Sequence, residues 1–87
     1  MVRDVVIVSA CRTPIGTFGG ALKNVPAPKL AAGVMKEAIK RAQIDANLIE
    51  DVRFGCCLEP TDSLNIARVS ALLADIPNSV PAVTINR

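Results

Sequence analysis

Three cysteines, Cys11, Cys56 and Cys57, are the residues of this 87-residue chain best suited to nucleophilic chemistry, and they stand without the usual helpers. There is no histidine, tryptophan or tyrosine. Imidazole acid–base catalysis, a Cys-His or Ser-His-Asp site and a histidine metal centre are therefore excluded within these residues. An odd cysteine count with two adjacent is a poor disulfide framework, and none shows the C-x-x-C spacing of zinc or thioredoxin-type sites. A cation beside a thiol, as in Cys11-Arg12, or a vicinal pair, as in Cys56-Cys57, can mark a reactive thiol. The arginine that a cysteine phosphatase carries six residues on is replaced here by Thr17, Asp62 and Ser63. Packing is the expected role of all three cysteines, in the reduced and mostly buried state.

Gly16-x-x-Gly19-Gly20 is the other chemical candidate, because a glycine-rich loop after a strand can cradle phosphate. Its spacing is neither G-x-G-x-x-G nor G-x-x-x-x-G-K-[ST], so the glycines are expected to shape a surface loop. No cofactor and no metal site is expected. The net charge of +2 comes from basic residues scattered among acidic ones, Arg3 beside Asp4 and Arg53 near Asp51, which argues against nucleic acid as a partner. The longest strongly apolar run, Val5 to Val8, is far short of a membrane span, and the N-terminus lacks the apolar stretch of a signal peptide. A cytoplasmic protein is expected.

The elements that must position these residues follow from periodicity. Asp4 to Ala10 holds four consecutive β-branched residues and reads as a strand buried on both faces of a parallel sheet. An irregular loop, Cys11 to Gly20, follows, extended by Pro26 and Pro28. From Pro28 the period becomes helical, with Leu30, Val34, Met35, Ala38, Ile39 and Ala42 on one face and a Glu37–Arg41 pair on the other. Gly33 is expected to let this helix approach the sheet closely. Asp45 caps a single turn, and a second strand runs from Val52 to about Leu58, ended by Pro60. Ser63 or Asp62 is expected to cap a helix from about Leu64 to Ala74, whose small face is Ile66, Ala67, Ser70, Ala71 and Ala74. Val80 to Asn86 reads as a third strand.

The order is β-loop-α-β-α-β, an α/β chain with a mostly parallel sheet. At 51% hydrophobic the sequence is apolar, yet its only large aromatic fillers are two phenylalanines. Such a composition implies surface meant to be covered by other protein. One domain at most is present, and it reads as an incomplete half-domain over residues 1–87, with an open sheet edge and no sequel.

Asp4-Val5-Val6-Ile7-Val8-Ser9-Ala10 followed by Arg12-Thr13-Pro14-Ile15-Gly16-x-Phe18-Gly19-Gly20-x-Leu22-Lys23 resembles the N-terminal opening of the thiolases, the acetyl-CoA acetyltransferases. Asn65-x-Ala67-Arg68 resembles that family's Asn-Pro-Ala-Arg helix start. Ile76-Pro77-x-Ser79-Val80-Pro81-Ala82-x-Thr84-Ile85-Asn86-Arg87 resembles the strand leading to its nucleophile. The resemblance spans essentially the whole chain. It implies an intact enzyme of two βαβαβαββ halves that condenses two acetyl-CoA to acetoacetyl-CoA, or runs the thiolytic reverse, by ping-pong acyl transfer. The nucleophilic cysteine would sit about two residues beyond Arg87, at a helix N-terminus where free N–H groups favour thiolate and oxyanion.

None of Cys11, Cys56 or Cys57 falls on that motif, so the resemblance implies no catalytic, cofactor or metal residue in this chain and no activity of the chain alone. Coenzyme A thioesters would be substrates of the intact enzyme. Arg12, Thr13, Pro14, Gly16, Gly19 and Gly20 would form a shaped structural loop. The third strand would pair across a dimer axis, making Val80, Ala82, Val83, Thr84, Ile85 and Asn86 interface candidates. The implied partners are the remainder of the polypeptide and further copies of the intact enzyme, as dimer or tetramer. Two departures stand out: Cys56 to Ser63 replaces a glycine- and glutamine-containing stretch, and Ile66 stands where the family commonly has proline. Other readings of the same residues are a short non-catalytic interaction module and a thiolase-fold synthase, the Arg-Thr-Pro and Ser-Val-Pro motifs favouring thiolase over the latter.

Overall fold

A computed structural model describes residues 2–87. The helix α1 spans Ala27–Ala42. Pro28 occupies its first turn, where the missing N–H costs nothing, and Lys40 and Arg41 lie in its last turn, where cations suit the carbonyl end. Gln43 closes it in the left-handed region at φ 57°. Glu37 and Arg41 form the expected i,i+4 ion pair at 2.9 Å. Asp45 caps the single 3-10 turn Ala46–Leu48 by accepting from the Asn47 N–H at 2.9 Å, as its residue type predicts.

Strand β1 (Val52–Gly55), helix α2 (Ile66–Leu73) and strand β2 (Ala82–Ile85) make a βαβ unit with the two strands parallel. Val52 faces Ala82, Arg53 faces Val83, Phe54 faces Thr84 and Gly55 faces Ile85. Alternation then divides the sheet: Val52, Phe54, Ala82 and Thr84 are buried or half-buried, whereas Arg53, Gly55, Val83 and Ile85 are exposed. Both helices stack on one side, α1 against α2 and α2 against the strands. The core is Ala32, Val52, Ala67, Ala71, Ala74, Ile76 and Val80, with Met35, Ile39, Ile49, Phe54 and Ala82 packed against it. The small-residue face predicted for α2 is the buried face, and its alanines let α1 and the sheet come close from opposite sides.

Helix α2 ends in a paired backbone motif. Asp75 takes φ 61°, its N–H donates to Leu72 O at 3.2 Å and the Ile76 N–H donates to Ala71 O at 3.1 Å. That is the Schellman arrangement, and the buried Ile76 supplies its apolar contact.

Five sequence expectations are corrected. Asp4 to Ala10 forms no strand: the only sheet among the described residues is β1–β2, and Val5 and Ile7 are 95% and 91% exposed. β-Branched residues favour an extended backbone, but a strand exists only where a neighbour accepts its ladder. The strands are also shorter than expected, β1 stopping at Gly55 and β2 spanning only Ala82–Ile85. The pairing partner ends there, so the remaining residues of each run have no ladder to join. Neither Ser63 nor Asp62 caps α2. Their side chains bond to each other at 3.3 Å, and the helix begins later, after Asn65.

Gly33 is not a close-approach glycine. A Cβ built there meets nothing within 4 Å. The cysteines are free but not mostly buried: Cys11 and Cys56 are half-buried and Cys57 is exposed. The radius of gyration, 14.0 Å, exceeds the ~12 Å of a compact domain of this length, in keeping with the uncovered N-terminal segment.

Two substitutions test this packing. Gly33→Ala adds helix propensity without a clash and is expected to raise unfolding stability by about 0.5–1 kcal/mol. Ala71→Leu inserts bulk where the residue is 1% exposed and is expected to lower it by about 1–3 kcal/mol. Urea midpoints at unchanged m-value decide both.

Candidate functional site

A helix leaves its first N–H groups without intrahelical partners, and in α2 each of the first three finds a side chain. The Ile66 N–H donates to Glu59 Oε1 at 3.0 Å. The Ala67 N–H donates to Thr84 Oγ1 at 3.0 Å. The Arg68 N–H reaches Asn65 Oδ1 at 3.4 Å, alongside a backbone bond to Asn65 O at 2.9 Å. The Thr84 hydroxyl in turn donates to Asn65 Oδ1 at 2.7 Å, and Asn65 Nδ2 donates to Ala82 O at 3.4 Å. Thr84 is thus acceptor and donor at once, a use of both faces of a hydroxyl.

This network fastens β2 to the start of α2. Asn65 holds it from the left-handed region at φ 53°, one of few non-glycine residues at home there. Arg68 fixes the entry to the strand: Nη1 donates to Val80 O at 2.9 Å and Nη2 to Asn78 O at 3.0 Å. The planar guanidinium fork spans two carbonyls that a lysine would not reach together. Asn65, Arg68 and Thr84 were singled out in the sequence by resemblance, Thr84 as an interface candidate and not as a helix cap; Glu59 was not. Glu59 lies seven residues before its partner and Thr84 seventeen after, separations no local capping pattern announces.

The ends of the two parallel strands meet beside this clasp. The Cys56 N–H donates to Ile85 O at 2.9 Å, the last rung of the ladder. Cys57 then leaves the sheet, and its Sγ lies 3.6 Å from Arg87 O. The structural-loop residues approach the same place from the other side: Arg12 and Thr13 share a recess of about 380 Å³ with Phe54, Cys56 and Ile66. Arg12 Nη1 donates to Thr13 O at 2.9 Å, and the Thr13 hydroxyl to Pro14 O at 3.2 Å, so both polar groups serve the loop itself. Further along, Thr17 to Gly20 is a turn closed by Gly20 N–H to Thr17 O at 2.9 Å. Gly19 has φ 70°, and a Cβ at Gly20 would lie 3.0 Å from the Thr17 carbonyl oxygen, which explains the glycine pair. Two tethers join the N-terminal segment to α1: Cys11 Sγ to Val34 O at 3.3 Å and Arg41 Nη1 to Ala10 O at 3.3 Å.

Of the six interface candidates, Val80 is a core residue, Ala82 and Thr84 face α2, and only Val83, Ile85 and Asn86 are exposed. No group of three or more metal-ligating side chains occurs among the described residues. No helix among them is long and apolar enough to cross a membrane. The arrangement can position a strand end.

The family model for the thiolase N-terminal domain matches residues 5–87. The chain belongs to that family. It is 54% identical over all 87 residues to an acetyl-CoA acetyltransferase of Syntrophomonas wolfei, and 50% identical over 84 residues to one of Clostridioides difficile. It covers 22% of the first protein and 78% of the second. A thiolase of Ascaris suum, solved in complex with coenzyme A, superposes with a TM-score of 0.93 at 41% identity, over 98% of this chain and 22% of that one. The chain therefore spans about a fifth of the length of most such thiolases, and its α/β fold is theirs.

Within this thiolase segment the clasp is the testable feature. Thr84→Val strands the Ala67 N–H and is expected to cost about 1–3 kcal/mol of stability, whereas Thr84→Ser keeps both bonds and costs under about 1 kcal/mol. Urea unfolding of the two variants side by side separates loss of the hydroxyl from loss of bulk.

Proposed function

We propose that this chain is the N-terminal segment of an acetyl-CoA C-acetyltransferase, an enzyme that condenses two acetyl-CoA to acetoacetyl-CoA or cleaves 3-ketoacyl-CoA by thiolysis. The observation that carries the reading is the match, over the whole of this chain at 54% identity, to an acetyl-CoA acetyltransferase of whose length the chain covers 22%. The absence of histidine supports a scaffold role: acyl transfer would run through a cysteine and bases supplied by the rest of the polypeptide, with coenzyme A thioesters as substrates. This segment would hold β2 at a fixed angle to α2 and present the end of that strand. Arg12, Thr13, Pro14, Gly16, Gly19 and Gly20 would shape the wall beside it.

The segment would be completed by the remaining thiolase polypeptide in the cytoplasm, with no nucleic acid or membrane partner, in a homodimer or homotetramer. Val83 and Ile85 on the free side of β2, and Asn86 just after it, are the interface candidates left exposed. A second reading is a short non-catalytic interaction module. The Clostridioides difficile relative, of whose length this chain covers 78%, carries the acetyltransferase name and so favours the first reading.

A graft distinguishes them. The 87 residues replace the segment they match in the Syntrophomonas wolfei acetyltransferase, and acetoacetyl-CoA thiolysis is followed in the presence of coenzyme A. The chimera is expected within about tenfold of the parent rate, a loss of about 1.4 kcal/mol at most in transition-state stabilisation. The 87-residue chain alone is expected to give no rate above background. A chimera that assembles to the parent mass yet does not cleave acetoacetyl-CoA overturns the scaffold reading. In the active chimera, Val83→Arg is expected to shift the native mass towards monomer, because an unpaired cation in the centre of an apolar interface is strongly disfavoured.

A further inference from the structure

We propose that Thr84 is a positioning residue for acyl transfer: its two hydrogen bonds set the place of the chain that leaves β2, and the rate of the chemical step depends on that place. The proposal rests on the acyltransferase reading above and assigns to one side chain a kinetic role within it. Its basis is where Thr84 sits. Strands β1 and β2 are parallel, with Gly55 facing Ile85, so both end on the same edge of the sheet. The chain that leaves β1 at that edge returns as α2, and the first turn of α2 lies against it, as the Ala67–Thr84 contact shows. In parallel α/β sheets the groups that meet a ligand stand outside the carboxyl ends of the strands. Thr84 is the last residue of β2 but one. Both faces of its hydroxyl are used at this edge, on the Ala67 N–H at 3.0 Å and on Asn65 Oδ1 at 2.7 Å.

Holding the fold together does not by itself call for a hydroxyl here. The other β2 residue on the helix side is Ala82, and the core that α2 packs into is apolar. A hydroxyl in that layer costs desolvation that a valine of the same shape would avoid, and its return is direction. Two bonds to the first turn of α2 fix the strand end along the helix as well as above it. The tie at the other end of β2 acts elsewhere: Arg68 holds Val80 O and Asn78 O, before the strand begins. Beyond the strand, Cys57 Sγ lies 3.6 Å from Arg87 O, a long and exposed contact. Thr84 is thus the last firm side-chain anchor, among the described residues, before the chain leaves the sheet. Whatever the following residues carry to the carboxyl edge takes its place from this bond pair. A misplacement of about 1 Å can cost a reacting group about a hundredfold in rate while the contacts that bind the rest of the substrate are unchanged. The signature is a loss in kcat without a matching rise in KM.

The test uses the chimera described above, at a temperature where each variant matches the unmutated chimera in circular dichroism and native mass. Thr84→Val is expected to lower kcat for acetoacetyl-CoA thiolysis by about ten- to a hundredfold with KM changed by less than about threefold. Thr84→Ser, which keeps both bonds, is expected to return kcat to within about threefold of the unmutated chimera. Asn65→Gly keeps the left-handed backbone but removes the acceptor of the hydroxyl, and is expected to lower kcat in the same way. The double variant falls no further than the lower single, because both changes undo one joint. Ile76→Val thins the core at the opposite end of α2: its urea midpoint is expected to fall while kcat stays within about twofold. Where Thr84→Val does not assemble, Asn65→Gly alone decides. An unchanged kcat in the assembled variant, a loss confined to KM, a loss that serine does not restore, additive losses in the double variant or an equal loss in Ile76→Val overturns the positioning role while the acyltransferase reading stands. An unmutated chimera that does not cleave acetoacetyl-CoA overturns that reading and the proposal with it.

Discussion

The hydroxyl of Thr84 is the joint on which this structure turns. It accepts from the Ala67 N–H at 3.0 Å and donates to Asn65 Oδ1 at 2.7 Å, so one side chain of β2 completes both the first turn of α2 and the residue that caps it. An eight-residue helix is too short to persist alone, because nucleation costs more than so few bonds return. Helix α2 exists because Thr84, Asn65 and Glu59 take its orphan donors and because its alanine face is buried. The dependence is mutual. Strand β2 has only one strand neighbour among the described residues, and its height above the sheet is set by the helix it is fastened to.

The core explains why the remaining surface is so uneven. Four of its members, Ala32, Ala67, Ala71 and Ala74, are alanines, which allow close approach but bury little area each. The bulky apolar residues stand mostly outside: Val5, Ile7, Phe18, Leu58 and Leu64 are all exposed. A sheet covered on one side only, with Val83 and Ile85 on the bare face, belongs with that pattern. The fold is a layer of a larger packing scheme, in agreement with its share of the length of its thiolase relatives.

The helices were legible in the sequence because periodicity is a local property. Pro28 marks the start of α1, and the small residues from Ile66 to Ala74 mark the buried face of α2. The Asp45 turn was legible for the same reason, its cap and recipient lying two residues apart. Strand Asp4–Ala10 failed on the opposite ground, since pairing is a relation between segments and no residue type contains its neighbour. The cap of α2 failed in an instructive way: Ser63 and Asp62 are sound caps by type, but Asn65 adopts φ 53° and starts the helix after them. Glu59, and the capping role of Thr84, belong to the same class of miss, because each matters through a partner that only the fold brings near.

The two ends of α2 together have a dynamic consequence. Helices ordinarily open from their termini, where the last turns are held by fewer bonds. In α2 the first turn is tied to Glu59 and Thr84, and the last is closed by the Asp75 and Ile76 N–H groups, with Ile76 itself in the core. Neither end is free to peel away first. Exchange of its amides with solvent must therefore wait for an opening that parts the helix from the sheet, which makes these eight residues a single cooperative unit with β2 rather than a ladder that melts rung by rung.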